Sequence, residues 1–252
     1  AVMCARLLHD IGNPPFGHFG EVVIGDWFKS HLDRLSYKGR PLSQWLDRQM
    51  KADLCHFEGN AQALRLLTKV YRVDSAFGMD LMPAVLNTLV KYPVDSTRVD
   101  KASADVKLHK LGYYKAEEAL FGALASATGT RTVEGFCRHP LTYILEAADD
   151  IAYATADLED AYKKGLFTLD EFERFFRDTL EAKKDDWGLN GGQVKKSAEM
   201  IDELTRLRER ESSSMAAFQR WIAYARHWLM YTAAFGFVPY GAGQTDSYSA
   251  IM

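Results

Sequence analysis

Apolar residues along this chain recur at spacings of three and four, and few stretches alternate with a period of two. Residues 140–164 carry the clearest pattern. Ile144, Ala148, Ile151, Thr155, Leu158 and Tyr162 fall on one side of a helix, with Pro140 near its start and Gly165 after its last turn. Residues 1–9 read as a helix ending near His9-Asp10, because Gly12 and Pro14-Pro15 cannot continue it. Beyond that turn, Val22, Val23, Trp27 and Phe28 give a second helix an apolar face. Residues 36–53 read as a polar connection with a short helix. Residues 57–71 place Ala61, Leu64, Leu67 and Thr68 on one side, after an unusual start at Phe57-Glu58-Gly59-Asn60. A helix over 82–90 stops at Pro93, residues 94–109 lack periodicity and read as a loop, and a short helix covers 116–125. Thr168 is the N-cap of a helix over 169–183, with acids in its first turn. Residues 184–196, with Gly191-Gly192, read as a polar connection. A charged amphipathic helix over 196–211 and an apolar-aromatic helix over 215–235 follow, and 237–252 reads as Gly-rich and irregular. The pattern predicts an all-α protein without internal repeats.

Composition narrows the class only slightly. With 252 residues, 47% hydrophobic and 26% charged, the chain suits a soluble globular protein with a substantial core. A net charge of -3 excludes a protein that is basic throughout and leaves room for a local basic patch. The three cysteines, Cys4, Cys55 and Cys137, have neither disulfide nor zinc spacing, which points to a reducing cytoplasm. No run approaches the length of a membrane span, and the N-terminus lacks the parts of a signal peptide. It begins without Met and reads as the middle of a helix, so native sequence is expected upstream. No Walker A loop, strand-borne Gly-x-Gly-x-x-Gly or Gly-x-Ser-x-Gly occurs, which removes the common ATPase, Rossmann and serine-hydrolase readings.

Chemistry concentrates in residues 8–21, Leu-His-Asp-Ile-Gly-Asn-Pro-Pro-Phe-Gly-His-Phe-Gly-Glu. His9 and Asp10 sit where a helix ends, so the two side chains can converge. Imidazole nitrogen with carboxylate oxygen suits Mn, Fe or Ni, and carboxylate with water suits Mg; a plain capped helix end is the alternative. His18 and Glu21, three residues apart, share a face at a helix start. They form either a general acid/base pair or an ordinary surface pair. On the 140–164 helix, Asp149, Tyr153 and Asp157 stack at i, i+4 and i+8, among Glu146, Asp150 and Asp160. No cation in the sequence of that helix offsets them before Lys163 and Lys164. Like charges at that spacing are unfavourable unless a metal or ligand relieves them, although a solvated face is the commoner meaning of such a stripe. Lys91-Tyr92 and Lys110 with Tyr113-Tyr114 are basic-aromatic clusters that could meet phosphate and base, or simply face solvent.

The run from His9 to Glu21 resembles the signature of the deoxyguanosine triphosphate triphosphohydrolases, which belong to the HD-domain metal-dependent phosphohydrolases. The resemblance continues in Phe57-Glu58-Gly59-Asn60-Ala61-Gln62, in Lys91-Tyr92-Pro93, and in Glu146-Ala147-Ala148-Asp149-Asp150-Ile151 through Tyr153 to Asp160. It weakens after about residue 183. It implies one all-helical HD domain over 1–252, lacking N- and C-terminal parts of the family fold, with a catalytic core over about 1–165 and a helical part over about 166–252.

The resemblance also implies a site. A divalent metal, Mn or Mg, would be held by His9, Asp10 and Asp149, with Asp150 the competing choice and a fourth ligand, a histidine, expected upstream of this chain. His18 and Glu21 would be the acid/base pair, Tyr153 would pack on the deoxyribose with Asp157 nearby, and Lys91, Tyr92 and Lys110 would hold the triphosphate. The implied reaction converts dGTP to deoxyguanosine and inorganic triphosphate by attack at the α-phosphate. Broader dNTP or nucleoside monophosphate hydrolysis, or a catalytically silent nucleotide- or DNA-binding regulator, are the alternatives. The family context implies a cytoplasmic homo-oligomer, often a hexamer, that responds to nucleotides or single-stranded DNA.

Overall fold

The computed structural model describes residues 1–71 and 78–241, the side chains of 236–241 excepted. The chain divides into two compact units, Ala1–Glu146 and Ala147–Met252. In the first, α1 (Val2–Leu8), α2 (Gly17–His31), α3 (Arg48–Cys55), α4 (Gly59–Arg65), α5 (Pro83–Leu89) and α6 (Glu118–Ala127) are joined by turns and two minimal hairpins. The hairpins pair Ser36–Tyr37 with Arg40–Pro41 and Arg131–Thr132 with Gly135–Phe136, each antiparallel. The division falls within α7 (Pro140–Lys163). The second unit contains α8 (Leu169–Lys183), α9 (Gly191–Arg210) and α10 (Ser214–Gly241). The all-α expectation holds among the described residues.

Local chemistry sets several of these boundaries. Pro83 opens α5 at the position where its missing N–H costs nothing. Thr168 caps α8 in a reciprocal box with Glu171, a feature worth about 1 kcal/mol. Asn190 and Gln193 form the same box on α9, so that helix starts at Gly191 rather than at 196. The glycine pair read as a connection is therefore its first turn. Helix α4 runs on into a single π-helical turn, Leu66–Val70, as part of the helix expected over 57–71. Helix α10 continues past the predicted end at 235; the irregular segment expected over 237–252 lies outside the described residues beyond 241.

The core of the first unit gathers Leu64, Leu67, Leu89, Phe121 and Leu145, all essentially inaccessible. Tyr113 stacks on Phe121 with ring centroids 4.7 Å apart, and burial pushes its phenol up to about 12. Tyr114 is buried too. Both readings open for this pair, meeting a nucleotide or facing solvent, are corrected: both rings are core. The second unit closes around Phe172, Ile201, Leu204, Phe218 and Trp221, and the Trp221 indole donates to the Met200 carbonyl at 2.8 Å.

Two further expectations change. Val22, Val23 and Trp27 on α2 are exposed by 57%, 49% and 45%, and the buried face of that helix is Gly20, Glu21 and Gly25. It packs on α3 through bare backbone: a Cβ at Gly25 would lie 2.6 Å from the Cys55 carbonyl oxygen. On α7, Ala148 is exposed, whereas Ile151 and Thr155 are buried as read. The carboxylates of α7 have more cations than its own sequence supplies. Arg138 grips Glu146 with two bonds of 2.9 and 3.3 Å, while Lys163 pairs with Glu159 at 2.7 Å.

Candidate active site

The turn between α1 and α2 is tight and locally strained. The Leu8, Asp10 and Pro14 carbonyls accept from the amides of Ile11, Asn13 and Gly17 at 3.2, 3.1 and 3.0 Å. Phe16 adopts a left-handed conformation with φ of 66°, which for a non-glycine residue costs about 1–2 kcal/mol. Such strain persists when the surroundings over-determine it. Here they do. A Cβ at Gly12 would sit 2.0 Å from the Gly59 carbonyl oxygen and 2.3 Å from the Ala63 nitrogen, and one at Gly20 would sit 2.1 Å from the Pro15 carbonyl oxygen. Glycine lets the turn lie directly on the first turn of α4 and on the start of α2.

That contact lies beside the His18–Glu21 pair. His18 Nδ1 lies 2.8 Å from Glu21 Oε2. A carboxylate oxygen accepts, so Nδ1 is the donor, and in the neutral ring Nε2 is the lone-pair nitrogen. Glu21 is 9% exposed at its side chain and His18 81%, so a buried carboxylate holds an accessible ring. The second oxygen of Glu21 accepts the Gly59 amide at 2.7 Å. Glu58, one residue earlier, is buried and accepts from Asn60 Nδ2 at 2.9 Å and from Lys110 Nζ at 3.2 Å. Lys110 Nζ is also 4.0 Å from Glu21 Oε2. Burial raises the Glu58 carboxyl above its ordinary range; the Lys110 charge opposes this and the Glu21 charge adds to it.

His18, Glu21, Glu58 and Lys110 line one cleft of about 330 Å³, together with Lys29, Lys101 and His109. His18, Glu21 and Lys110, predicted separately, are thus brought together. Lys91 and Tyr92 are not among the lining residues: the Lys91 carbonyl accepts from Arg138 Nε at 2.6 Å, and the Arg138 guanidinium lies 5.7 Å from the Tyr92 ring centre. Glu58, Gly59 and His109 are the participants that motif reading missed. The polar start at 57–60 was the available signal for the first two.

His9 and Asp10 fit a divalent ion as a partial donor set. His9 is buried, and its Nδ1 donates to the Arg6 carbonyl at 2.8 Å, which leaves Nε2 as the lone-pair nitrogen. Nε2 lies 3.1 Å from Asp10 Oδ2, and two acceptors at that separation call for a proton or a cation between them. Arg6 Nη1 lies 3.4 Å from both ring nitrogens, and Asn13 Nδ2 donates to the other Asp10 oxygen at 3.1 Å. Among the described residues no group of three or more His, Cys, Asp and Glu is arranged to hold a metal. In the second unit, Asp149 is buried, Asp150 and Asp157 are exposed, and Tyr153 is 54% exposed.

No family profile matches the chain. Individual relatives do. Over 222 residues the chain is 42% identical to a protein of Listeria monocytogenes named deoxyguanosinetriphosphate triphosphohydrolase-like, covering 87% of this chain and 44% of the relative. A probable deoxyguanosinetriphosphate triphosphohydrolase of Pseudomonas aeruginosa is 44% identical over 174 residues, 67% of this chain and 33% of the relative. The deoxyguanosinetriphosphate triphosphohydrolase of an Enterobacter species is 41% identical over 197 residues, 70% of this chain and 37% of the relative. Among the described residues the architecture is all-helical, as an HD-type fold requires. This chain belongs to the deoxyguanosinetriphosphate triphosphohydrolase family, and it spans less than half the length of these curated relatives.

Proposed function

We propose that this chain carries catalytic residues of a dNTP triphosphohydrolase that converts dGTP to deoxyguanosine and inorganic triphosphate. The observation that carries the reading is the His18–Glu21 pair, held at 2.8 Å in a cleft that also contains Lys110. The names of the relatives supply the substrate class. In the reaction, water adds to the α-phosphorus and the bond to the nucleoside 5′-oxygen breaks. That oxygen must gain a proton and the water must lose one. His18 handles one of these protons, because Glu21 fixes its tautomer and stabilises the imidazolium. Lys110 offsets charge on the triphosphate.

A divalent ion, Mn or Mg, on His9, Asp10 and Asp149 would supply Lewis acidity at a phosphate oxygen and lower the pKa of a bound water. Tyr153 as the deoxyribose wall, Asp157 beside it, and Lys91 and Tyr92 as triphosphate contacts belong to the same proposal and rest on the family resemblance. So do a homo-oligomeric state, a nucleotide or single-stranded DNA effector and a cytoplasmic setting. Among the described residues no helix is long and apolar enough to cross a membrane.

The test is to incubate the protein with Mn or Mg and each dNTP in turn, and to identify products by phosphorus NMR. Intact triphosphate, released fastest from dGTP, supports the proposal. Pyrophosphate or phosphate as the product, or turnover of no dNTP, overturns it.

A further inference from the structure

We infer that Glu58 is a positioning residue of this site: its carboxylate holds the Lys110 ammonium back from Glu21 Oε2, so that this oxygen remains with His18. The inference rests on the roles proposed above for His18 and Glu21. The geometry sets up a competition for one atom. Glu21 Oε2 takes His18 Nδ1 at 2.8 Å, and the Lys110 ammonium stands 4.0 Å from the same oxygen. A shift of about 1 Å along a flexible lysine side chain would bring it within hydrogen-bond range. Glu21 is buried, where an ion pair is only weakly screened by water. What opposes the shift is Glu58 Oε1, which already accepts from the ammonium at 3.2 Å.

Glu58 is a firm anchor. Its Oε1 also accepts from Asn60 Nδ2. Its backbone is pinned by the buried Tyr114 hydroxyl, which accepts the Glu58 N–H at 3.2 Å and donates to the Glu58 carbonyl at 3.1 Å. The next residue, Gly59, donates to Glu21 Oε1. One dipeptide therefore fixes both the contested group and its competitor: Gly59 holds the carboxylate and Glu58 holds the lysine that would otherwise capture it. Lys110 stays at the cleft, with its charge available to an anionic substrate.

Glu58→Gln keeps the shape and the Asn60 bond while removing the charge. Its kcat should fall about ten- to a hundredfold, the scale of a partly lost acid/base catalyst, with KM for dGTP changed less than threefold. In nitrogen-15 histidine spectra recorded without substrate, His18 should lose its Nδ1–H preference. Removing the competitor as well, in Glu58→Gln/Lys110→Met, should restore the wild-type His18 tautomer and bring kcat to that of Lys110→Met alone, with KM raised as in that single variant. Unchanged kcat and spectrum in Glu58→Gln would overturn the inference. So would a double variant whose His18 spectrum stays like that of Glu58→Gln. If the wild-type protein hydrolyses no dNTP, the proposed function fails, while the substrate-free spectra still decide the positioning role.

Discussion

Glu21 and Gly59 stand 38 positions apart in the chain, yet the Gly59 amide donates to Glu21 Oε1 at 2.7 Å. A charge-assisted bond of this kind, in a buried setting, locks the carboxylate that orients His18. The His18–Glu21 pair is thus local in sequence, and its carboxylate is fixed by a distant helix start.

The two members of the pair should respond differently to substitution. His18→Ala should lower kcat by about 10²- to 10⁴-fold with little change in stability, because the ring is largely exposed. Glu21→Ala should lose activity and also about 1.5–3 kcal/mol of stability, since it strands the buried Gly59 amide. Steady-state kinetics and urea unfolding of both variants check this. A His18→Ala protein with full turnover would remove the residue from the mechanism.

Gly12→Ala should damage the site without touching a polar group. Its Cβ would meet the Gly59 carbonyl oxygen at 2.0 Å and the Ala63 nitrogen at 2.3 Å, and both are backbone, so neither can rotate away. The expected cost is about 1–3 kcal/mol or more, from overpacking, with a drop in kcat as α4 is pushed off Glu21. Thermal unfolding and kinetics measure the two effects together.

Acid should stabilise the surroundings of Asp53. This aspartate is buried, accepts from Ser96 Oγ at 2.5 Å and from the Lys115 amide at 2.7 Å, and burial raises its carboxyl above the ordinary 3.8. The folded state then holds the proton more tightly than the unfolded state. Its contribution is complete below about pH 3.8 and is lost as pH rises through the raised value. Asp53→Asn removes this dependence. The stability of the wild type minus that of the variant should therefore fall as pH increases above 4, in urea unfolding at a series of pH values; a flat or rising difference refutes the assignment.

Chelation should abolish turnover, and His9→Ala should reduce bound divalent ion at equal protein concentration. Elemental analysis after dialysis reads this directly. A His9→Ala protein that keeps the wild-type metal content would take His9 out of the ligand set.

The local pattern is most legible where one turn of helix decides the outcome. Thr168 and its first-turn acids fixed the bounds of α8, and His18 with Glu21 could be paired from spacing alone. It failed where a neighbour decides. Val22, Val23 and Trp27 have helical periodicity, but α2 buries its glycines because backbone-to-backbone contact with α3 leaves no room for side chains. Tyr113 and Tyr114 beside Lys110 suggest either ligand contacts or a solvent-facing patch, and the fold turns both rings inward. Gly191-Gly192 reads as a connection, whereas in the folded chain the Asn190–Gln193 box starts α9 at Gly191. Glu58 was visible as an oddity, but its partner Lys110 lies 52 residues away, beyond any local pattern.

The back-to-back approach of Gly12 and Gly59 makes the turn over residues 8–21 a poor module for transplantation. A graft of residues 8–21 into another helical scaffold would bring His18 and Glu21 but no Gly59 amide to seat the carboxylate, and any side chain in the host's equivalent of Gly59 would collide with the incoming turn. The transferable unit is the pair of segments, the exit of α1 and the entry of α4, moved together with their spacing preserved.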